Sequence, residues 1–176
     1  AGNGALMRIA PVVVPHLRSP SPGLWADTAL LGTITHNDFG SNAACLAFVE
    51  LLWRLLGATE PPRPVWWVER FTRTMAPLEG ATGYRPRSPN VFHEGPIAAF
   101  AKEQVLNALE LELDTREACD HWYSGAYLLE TVPSVLYILA RHGHDPDVWL
   151  DGAERIARRC CGRARERLED GRFPHV

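Results

Sequence analysis

A long apolar segment between residues 41 and 56 constrains the fold more than any other feature of the sequence. Its only charged residues, Glu50 and Arg54, are four positions apart, so they lie on one face of a helix whose other faces are apolar. These two charges also interrupt the apolar segment before it is long enough to span a bilayer. The sequence therefore predicts a mostly buried helix within a soluble protein.

Proline and glycine mark the limits of the next elements. Gly57 ends the apolar helix, and a connector with three prolines leads into a second helix predicted at 65–75. Residues 76–96 contain several prolines and glycines and few apolar positions, which predicts a loop long enough to cover a site. Apolar residues then recur at helical spacing and predict a helix over 97–113.

Capping patterns predict three more helices in the second half of the chain. Residues 114–117 resemble a capping box, in which Asp114 accepts a backbone N–H and a glutamate reaches back. A further helix is predicted from 130 to Gly143 with Pro133 in its first turn, and the Asp-Pro pair at 145–146 predicts the cap of another. No segment shows sustained β alternation and no repeat is present, so the fold class is all-α, an irregular helical bundle.

Composition and charge restrict the classes of partner and compartment. A chain of 176 residues is typical of one domain, here 1–176, and a net charge of −3 with a pI near 6.2 does not favour nucleic acid or an anionic membrane. The four cysteines form no C-x-x-C pair, and no signal peptide opens the sequence. A cytoplasmic location is expected.

The sequence Gly2-Asn3-Gly4 at the start of the chain is the first candidate for a binding site. Two glycines at the mouth of a short helix allow backbone N–H groups to approach an anion closely, and the helix dipole favours negative charge there. An isolated Gly-Asn-Gly also forms simple turns, so the motif alone leaves both interpretations open.

Three segments together resemble one known family. Residues 2–11, GNGALMRIAP, are similar to the G-N-G-[AS]-x-M-R-x-[AG]-P signature of the ADP-ribosylglycohydrolases. Residues 33–38, TITHND, resemble the family's Ser/Thr-His segment, and residues 124–133, SGAYLLETVP, resemble its G-x-G-Y-V-x-E-T segment. The segments occur in the family's order and the resemblance extends from residue 2 to about 142. It implies an all-α bundle of the ADP-ribosylglycohydrolase type.

The resemblance also implies roles for individual residues in binding ADP-ribose. Gly2, Asn3 and Gly4 would cradle the diphosphate with backbone contacts and an amide hydrogen bond. His36 would donate a hydrogen bond to a phosphate or ribose oxygen. The alternative for His36 is a structural role in capping the end of a helix.

Two residues of the third segment would contact the nucleoside. By the resemblance, Gly125 would admit the sugar, and Tyr127 would supply an aromatic wall and a hydroxyl beside the ribose and adenine. The alternative is that they form a packed turn ahead of a capped helix. For Arg8 in the first segment, a structural pairing with a carboxylate is expected rather than a ligand contact.

The acidic motifs that the family uses to hold Mg²⁺, or Mn²⁺ in some members, are not found in the sequence. The Asp-Thr at 27–28 follows the Gly-Asn-Gly motif instead of preceding it, and only Asp151 and Glu154 stand where the second acidic motif is expected. His142 and His144 are close in sequence to two aspartates, but capping roles explain them better than a metal site. No residue present supports metal binding.

These departures define the functional hypotheses. The chain is expected to be an incomplete, truncated segment of the family's domain, with a divergent tail at 157–176. When complete, such a protein would hydrolyse the N- or O-glycosidic bond between ADP-ribose and a modified protein side chain, so its partners would be ADP-ribose or ADP-ribosylated proteins. The alternatives are a catalytically inactive ADP-ribose-binding protein, and a helical interaction module. The module would use an aromatic surface formed by Trp66, Trp67, Trp122 and Trp149.

Overall fold

The computed structural model describes residues 1–19 and 21–145, and within these ranges the regular structure is helical, with no strand. The helices are α1 (Gly4–Arg8), a 3₁₀ helix (Ala10–His16), α2 (Gly23–Thr33), α3 (Phe39–Leu55), α4 (Pro64–Glu79), α5 (Ile97–Glu110), α6 (Thr115–Trp122) and α7 (Leu128–His142). The all-α prediction is confirmed. No helix in these ranges combines the length and apolar character needed to cross a membrane.

The predicted apolar helix is α3, which lies at the centre of the molecule and packs against α4 and α2. Asp38 caps its N-terminus by accepting a hydrogen bond from the Ser41 backbone N–H at 2.8 Å. On its one charged face, Glu50 accepts hydrogen bonds from Arg54 at 2.9 Å and from Arg70 Nε of α4 at 2.8 Å. Burial alone would raise the pKa of Glu50, but the bonds and charges of the two arginines outweigh it and lower the pKa.

Two apolar clusters hold the helices together. The larger cluster is shared by α3, α4, α5, α6 and α7, and the smaller one joins α1, the 3₁₀ helix and α2 to α3. Trp67 and Trp122 are buried in the larger cluster and Trp66 is half-buried against it. Of the four tryptophans named for the interaction-module hypothesis, the three that the structure describes therefore do not form an exposed aromatic surface, and Trp149 lies outside the described residues.

Several predicted boundaries were wrong. Helix α4 continues through Glu79 instead of ending at 75, and it stops at Gly80, whose φ of 67° is the left-handed conformation that glycine adopts easily. Helix α5 ends at Glu110, three residues earlier than predicted. Helix α7 begins two residues earlier than predicted, so Pro133 lies inside the helix and not in its first turn.

The capping box at 114–117 was predicted correctly. The Asp114 carboxylate accepts the Glu117 backbone N–H at 2.7 Å, and the Glu117 carboxylate accepts the Asp114 N–H at 2.8 Å. This box starts α6, which packs on α7. The cap predicted at 145–146, and the helix that would follow it, extend outside the described residues.

The predicted loop, at 80–96 in the structure, is closed at its base by buried Glu79. The carboxylate accepts the backbone N–H groups of Ile97 at 2.6 Å and Ala98 at 3.0 Å, which ties the end of α4 to the start of α5. Further out, Tyr84 and Gly95 exchange two backbone hydrogen bonds of 3.0 and 3.1 Å. These bonds fix the path of the loop, and residues 84–87 of the loop line a cavity together with Ala1.

Candidate functional site

The Gly-Asn-Gly motif and the 125–127 turn form one structural unit, although they are more than 120 residues apart. Gly2 pairs with Tyr127 in an antiparallel bridge, and the Asn3 backbone N–H donates to Ala126 O at 2.9 Å. The Asn3 side-chain amide donates to Thr131 Oγ1 at 2.8 Å. Asn3 therefore connects the first and third motif segments, and its amide N–H groups bond within the protein.

His36 brings the second motif segment to the same place. A Cβ added at Gly4 would lie 2.8 Å from His36 Cε1, and one added at Gly2 would lie 3.2 Å from His36 Nε2. The backbone N–H of His36 bonds to Gly32 O at the end of α2, but its ring faces the two glycines. The absence of side chains at Gly2 and Gly4 thus makes room for the imidazole.

The Nδ1 edge of the His36 ring is held by polar side chains. Its Nδ1 lies 2.9 Å from Thr35 Oγ1, and that hydroxyl also accepts a hydrogen bond from Arg8. The Arg8 guanidinium donates a second bond to Leu31 O at 2.9 Å. In place of the expected carboxylate, Arg8 therefore binds a hydroxyl and a carbonyl.

Gly125 lies against an ion pair that the sequence did not predict. Arg87, from the loop at 80–96, donates to both carboxylate oxygens of Glu130 at 2.6 and 2.8 Å. A Cβ at Gly125 would lie 2.3 Å from Glu130 Oε2, so only glycine leaves space for this carboxylate. The Arg87 guanidinium also lies over the Tyr127 ring, 4.2 Å from its centroid, while 46% of Tyr127 is exposed.

A cavity of about 290 Å³ opens between the loop and the start of α7. Its lining includes Tyr84, Arg87, Ile97, Tyr127 and Leu129, which combine apolar surface with a few polar groups. The cavity adjoins the paired backbones of Gly2 and Tyr127, because Tyr127 belongs to both. It therefore extends the surface formed by the three motif segments.

Tyr84, which lines the cavity, is hydrogen-bonded to Asp38 at the N-terminus of α3. The Tyr84 hydroxyl donates to Asp38 at 3.2 Å, and Ser41 donates to the same carboxylate. Burial and then the negative charge of Asp38 raise the pKa of Tyr84 to about 12. Burial would raise the pKa of Asp38, but the bonds from Ser41 and Tyr84 together lower it. At neutral pH the pair is a phenol bonded to a carboxylate.

All six residues named from the motifs lie in this region, but sequence reasoning missed several of their partners. Asp38 and Glu130 stand within the quoted motif segments, so a closer reading of those segments could have found them. Tyr84 and Arg87 come from the loop, where no motif marks them. Their contribution depends on how Glu79 and the 84–95 pairing direct the loop.

Within 1–19 and 21–145, no three His, Cys, Asp or Glu side chains are grouped so that they could hold a metal ion. His142 Nε2 lies 2.9 Å from Thr115 Oγ1, a contact between α7 and the start of α6. Asp38 and Glu130 already bond to Ser41, Tyr84 and Arg87. Asp151 and Glu154, which stand where the second acidic motif is expected, lie outside the described residues.

Comparison with known proteins decides the family. A sequence model of the ADP-ribosylglycohydrolase family matches residues 1–164 of the 176. The chain belongs to the ADP-ribosylglycohydrolase family. No curated protein and no solved structure matches it. Membership supports an ADP-ribosylglycohydrolase-like function in general. The family acts on ADP-ribosylated substrates and is generally metal-dependent.

Proposed function

We propose that this chain binds the ADP-ribose unit of ADP-ribosylated proteins, as the binding part of a hydrolase that cleaves the N- or O-glycosidic bond to the modified side chain. The observation that carries the proposal is the meeting of three motif segments at one place, through the Gly2–Tyr127 bridge and the packing of His36 against Gly4. Residues distant in sequence converge on a polar and aromatic surface beside a cavity.

The diphosphate is assigned to the side of the site that carries His36. Its imidazole is half-buried and held in place by Thr35 and the glycines, and Nε2 lies beside Gly2. A hydrogen bond to a charged phosphate contributes about 1.5–3 kcal/mol, so one fixed donor has a measurable effect on affinity. Gly2 and Gly4 act here mainly by leaving space for the donor ring.

The nucleoside is assigned to the side that carries Tyr127. The guanidinium of Arg87 covers one face of the ring, and the exposed part of the ring is available for stacking against a base. Gly125 allows Glu130 to come close enough to pair with Arg87, so it acts on the site through that pair. The cavity beside Tyr127 accommodates part of a nucleoside.

Calorimetric titration of the whole chain with ADP-ribose tests the binding proposal, with AMP and ribose 5-phosphate as partial ligands. We expect ADP-ribose to bind more tightly than either part, and His36→Ala to weaken ADP-ribose binding by roughly tenfold or more. No detectable heat at millimolar ADP-ribose, from a sample shown to be folded by circular dichroism, would contradict the proposal.

A second assay separates a hydrolase from an ADP-ribose-binding protein without activity. A mono-ADP-ribosylated protein is incubated with the chain and Mg²⁺, or Mn²⁺ in parallel, and free ADP-ribose is measured against a blank. Metal-dependent release of ADP-ribose would mean that this chain itself cleaves the glycosidic bond. Binding without release would support the inactive alternative, in which partners in the cytoplasm are recognised through ADP-ribose alone.

A further inference from the structure

A short relay of hydrogen bonds runs from Arg8 through Thr35 to His36. Arg8 donates to Thr35 Oγ1, and Thr35 Oγ1 lies 2.9 Å from His36 Nδ1. A guanidinium has only donors, so the threonine oxygen must accept in the first bond. Because Arg8 is also fixed by its bond to Leu31 O, the direction of this first bond is set by the fold.

The second bond then determines the position of the imidazole proton. A threonine hydroxyl carries one proton, and among the described residues His36 Nδ1 is the only hydrogen-bond partner of Thr35 Oγ1 besides Arg8. A hydroxyl oxygen has two lone pairs, but an Nδ1–H donor beside the arginine cation would be repelled, and the hydroxyl proton would then have no acceptor among the described residues. The hydroxyl therefore donates to Nδ1, and that nitrogen accepts. In a neutral imidazole the ring proton is then on Nε2.

We propose that Arg8 and Thr35 are positioning residues that hold neutral His36 as the Nε2–H tautomer, with this N–H beside the Gly-Asn-Gly motif. Added Cβ atoms at Gly2 and Gly4 would lie 3.2 and 3.1 Å from Nε2, so this nitrogen is the one that faces the motif. Within residues 1–19 and 21–145, no hydrogen bond engages Nε2. The relay thus leaves a free N–H at the anion-facing side of the ring.

The tautomer matters because the opposite one would present a lone pair to an anion. A neutral imidazole with its proton on Nδ1 repels phosphate oxygen at Nε2, whereas the Nε2–H form donates to it. This consequence for ligand binding rests on the proposed function, in which His36 meets the ADP-ribose diphosphate. The tautomer itself is a property of the protein without ligand.

Nitrogen-15 NMR of the imidazole tests the tautomer directly. Long-range ¹H–¹⁵N spectra are recorded at about pH 8.5, where ordinary imidazoles are neutral. The chain has seven histidines, so the His36 signals are assigned by their loss in His36→Gln. We expect the Nε2–H pattern in the wild type and in Thr35→Ser, which keeps the hydroxyl. Thr35→Val, which keeps the shape and loses the hydroxyl, should show a mixture of tautomers.

Two spectral results would overturn the proposal. One is an Nδ1–H pattern in the wild type, and the other is an unchanged tautomer in Thr35→Val. Arg8→Met gives an independent check, because without the cationic donor on the hydroxyl oxygen an Nδ1–H bond to that oxygen is no longer disfavoured and the tautomer should become mixed. Backbone amide spectra of each variant verify that the fold is kept, which is expected because Thr35 and Arg8 are exposed.

Titration with ADP-ribose separates this proposal from the function on which it rests. Thr35→Val should bind roughly fivefold to tenfold more weakly than the wild type, and Thr35→Ser should restore binding to within about twofold. A wild type with the Nε2–H tautomer and no affinity for ADP-ribose would refute the proposed function and leave the relay supported. A changed tautomer with unchanged affinity in Thr35→Val would refute the role of the relay in binding.

Discussion

Gly4→Ala offers a sharp test of how the site is built, because it adds one methyl group directly against the His36 ring. The new Cβ would lie 2.8 Å from His36 Cε1. Carbon atoms in contact prefer a separation of about 3.5 Å or more, so the ring must move by about 0.7 Å. The φ of Gly4 is not positive, so alanine fits the backbone, and alanine favours a helix over glycine by up to about 1 kcal/mol.

The expected result is a protein of nearly normal stability that binds ADP-ribose poorly. A donor that moves by about 0.7 Å from its bonding position near 2.9 Å passes beyond hydrogen-bond range. Most of the roughly 1.5–3 kcal/mol from a bond to a charged phosphate is then lost, which corresponds to about tenfold to hundredfold weaker binding. The free energy of unfolding should change by less than about 1 kcal/mol.

Isothermal titration with ADP-ribose and urea unfolding measure the two quantities on the same samples. Gly83→Ala is the matched control, because an added Cβ there has no atom within 4 Å and its φ is also not positive. If Gly4→Ala binds within about twofold of the wild type, the imidazole is not the donor that the site depends on. An equal loss in Gly83→Ala would show that the effect does not come from contact with the ring.

Other substitutions test the remaining parts of the site. Tyr127→Leu should weaken the binding of ADP-ribose and AMP by about threefold to tenfold, because it removes the stacking surface, and should leave the binding of ribose 5-phosphate unchanged. An equal loss for all three ligands in titration would argue against a nucleoside role for Tyr127. Arg87→Met leaves the buried Glu130 carboxylate unpaired and should lower the free energy of unfolding in urea by about 2–4 kcal/mol. Adding Glu130→Gln to this variant should recover part of the lost stability. The pKa of Tyr84 is near 12 in the folded protein and about 10 in an unfolded chain. The stability that this difference contributes is complete below about pH 10 and is lost as the pH rises toward 12. Tyr84→Phe should remove this pH dependence of the free energy of unfolding, measured at stepped pH.

The parts of the fold that the sequence predicted well are those with strong local signals. α3 has a long apolar pattern with one charged face, and α6 begins with a capping box that forms as expected. α2 and the 3₁₀ helix were not predicted. Neither has a side-chain cap, and α2 is apolar around most of its surface, so it shows neither a capping signal nor a clear polar face.

The site was predictable to the extent that its residues lie in motifs. His36 and Tyr127 were named from sequence and lie in the region where the three segments meet. Arg87 was not predicted, because its approach to Glu130 depends on a loop whose course is set by hydrogen bonds between residues far apart in sequence. Local patterns do not encode such a course, since it follows from the packing of α4 against α5.

Three glycines in or beside the site, Gly4, Gly125 and Gly40 of α3, share a physical role that the sequence alone did not reveal. Each leaves room for a polar side chain that comes closer to the backbone than a Cβ would permit. The pairs are Gly4 with His36 at 2.8 Å, Gly40 with Tyr84 at 2.8 Å, and Gly125 with Glu130 at 2.3 Å, measured from an added Cβ. Because each of these side chains also bonds to a second polar group, its position is fixed before any ligand arrives. Fixing the donors in advance lowers the entropy that binding must overcome, so glycine substitutions should reduce ligand affinity more than they reduce stability.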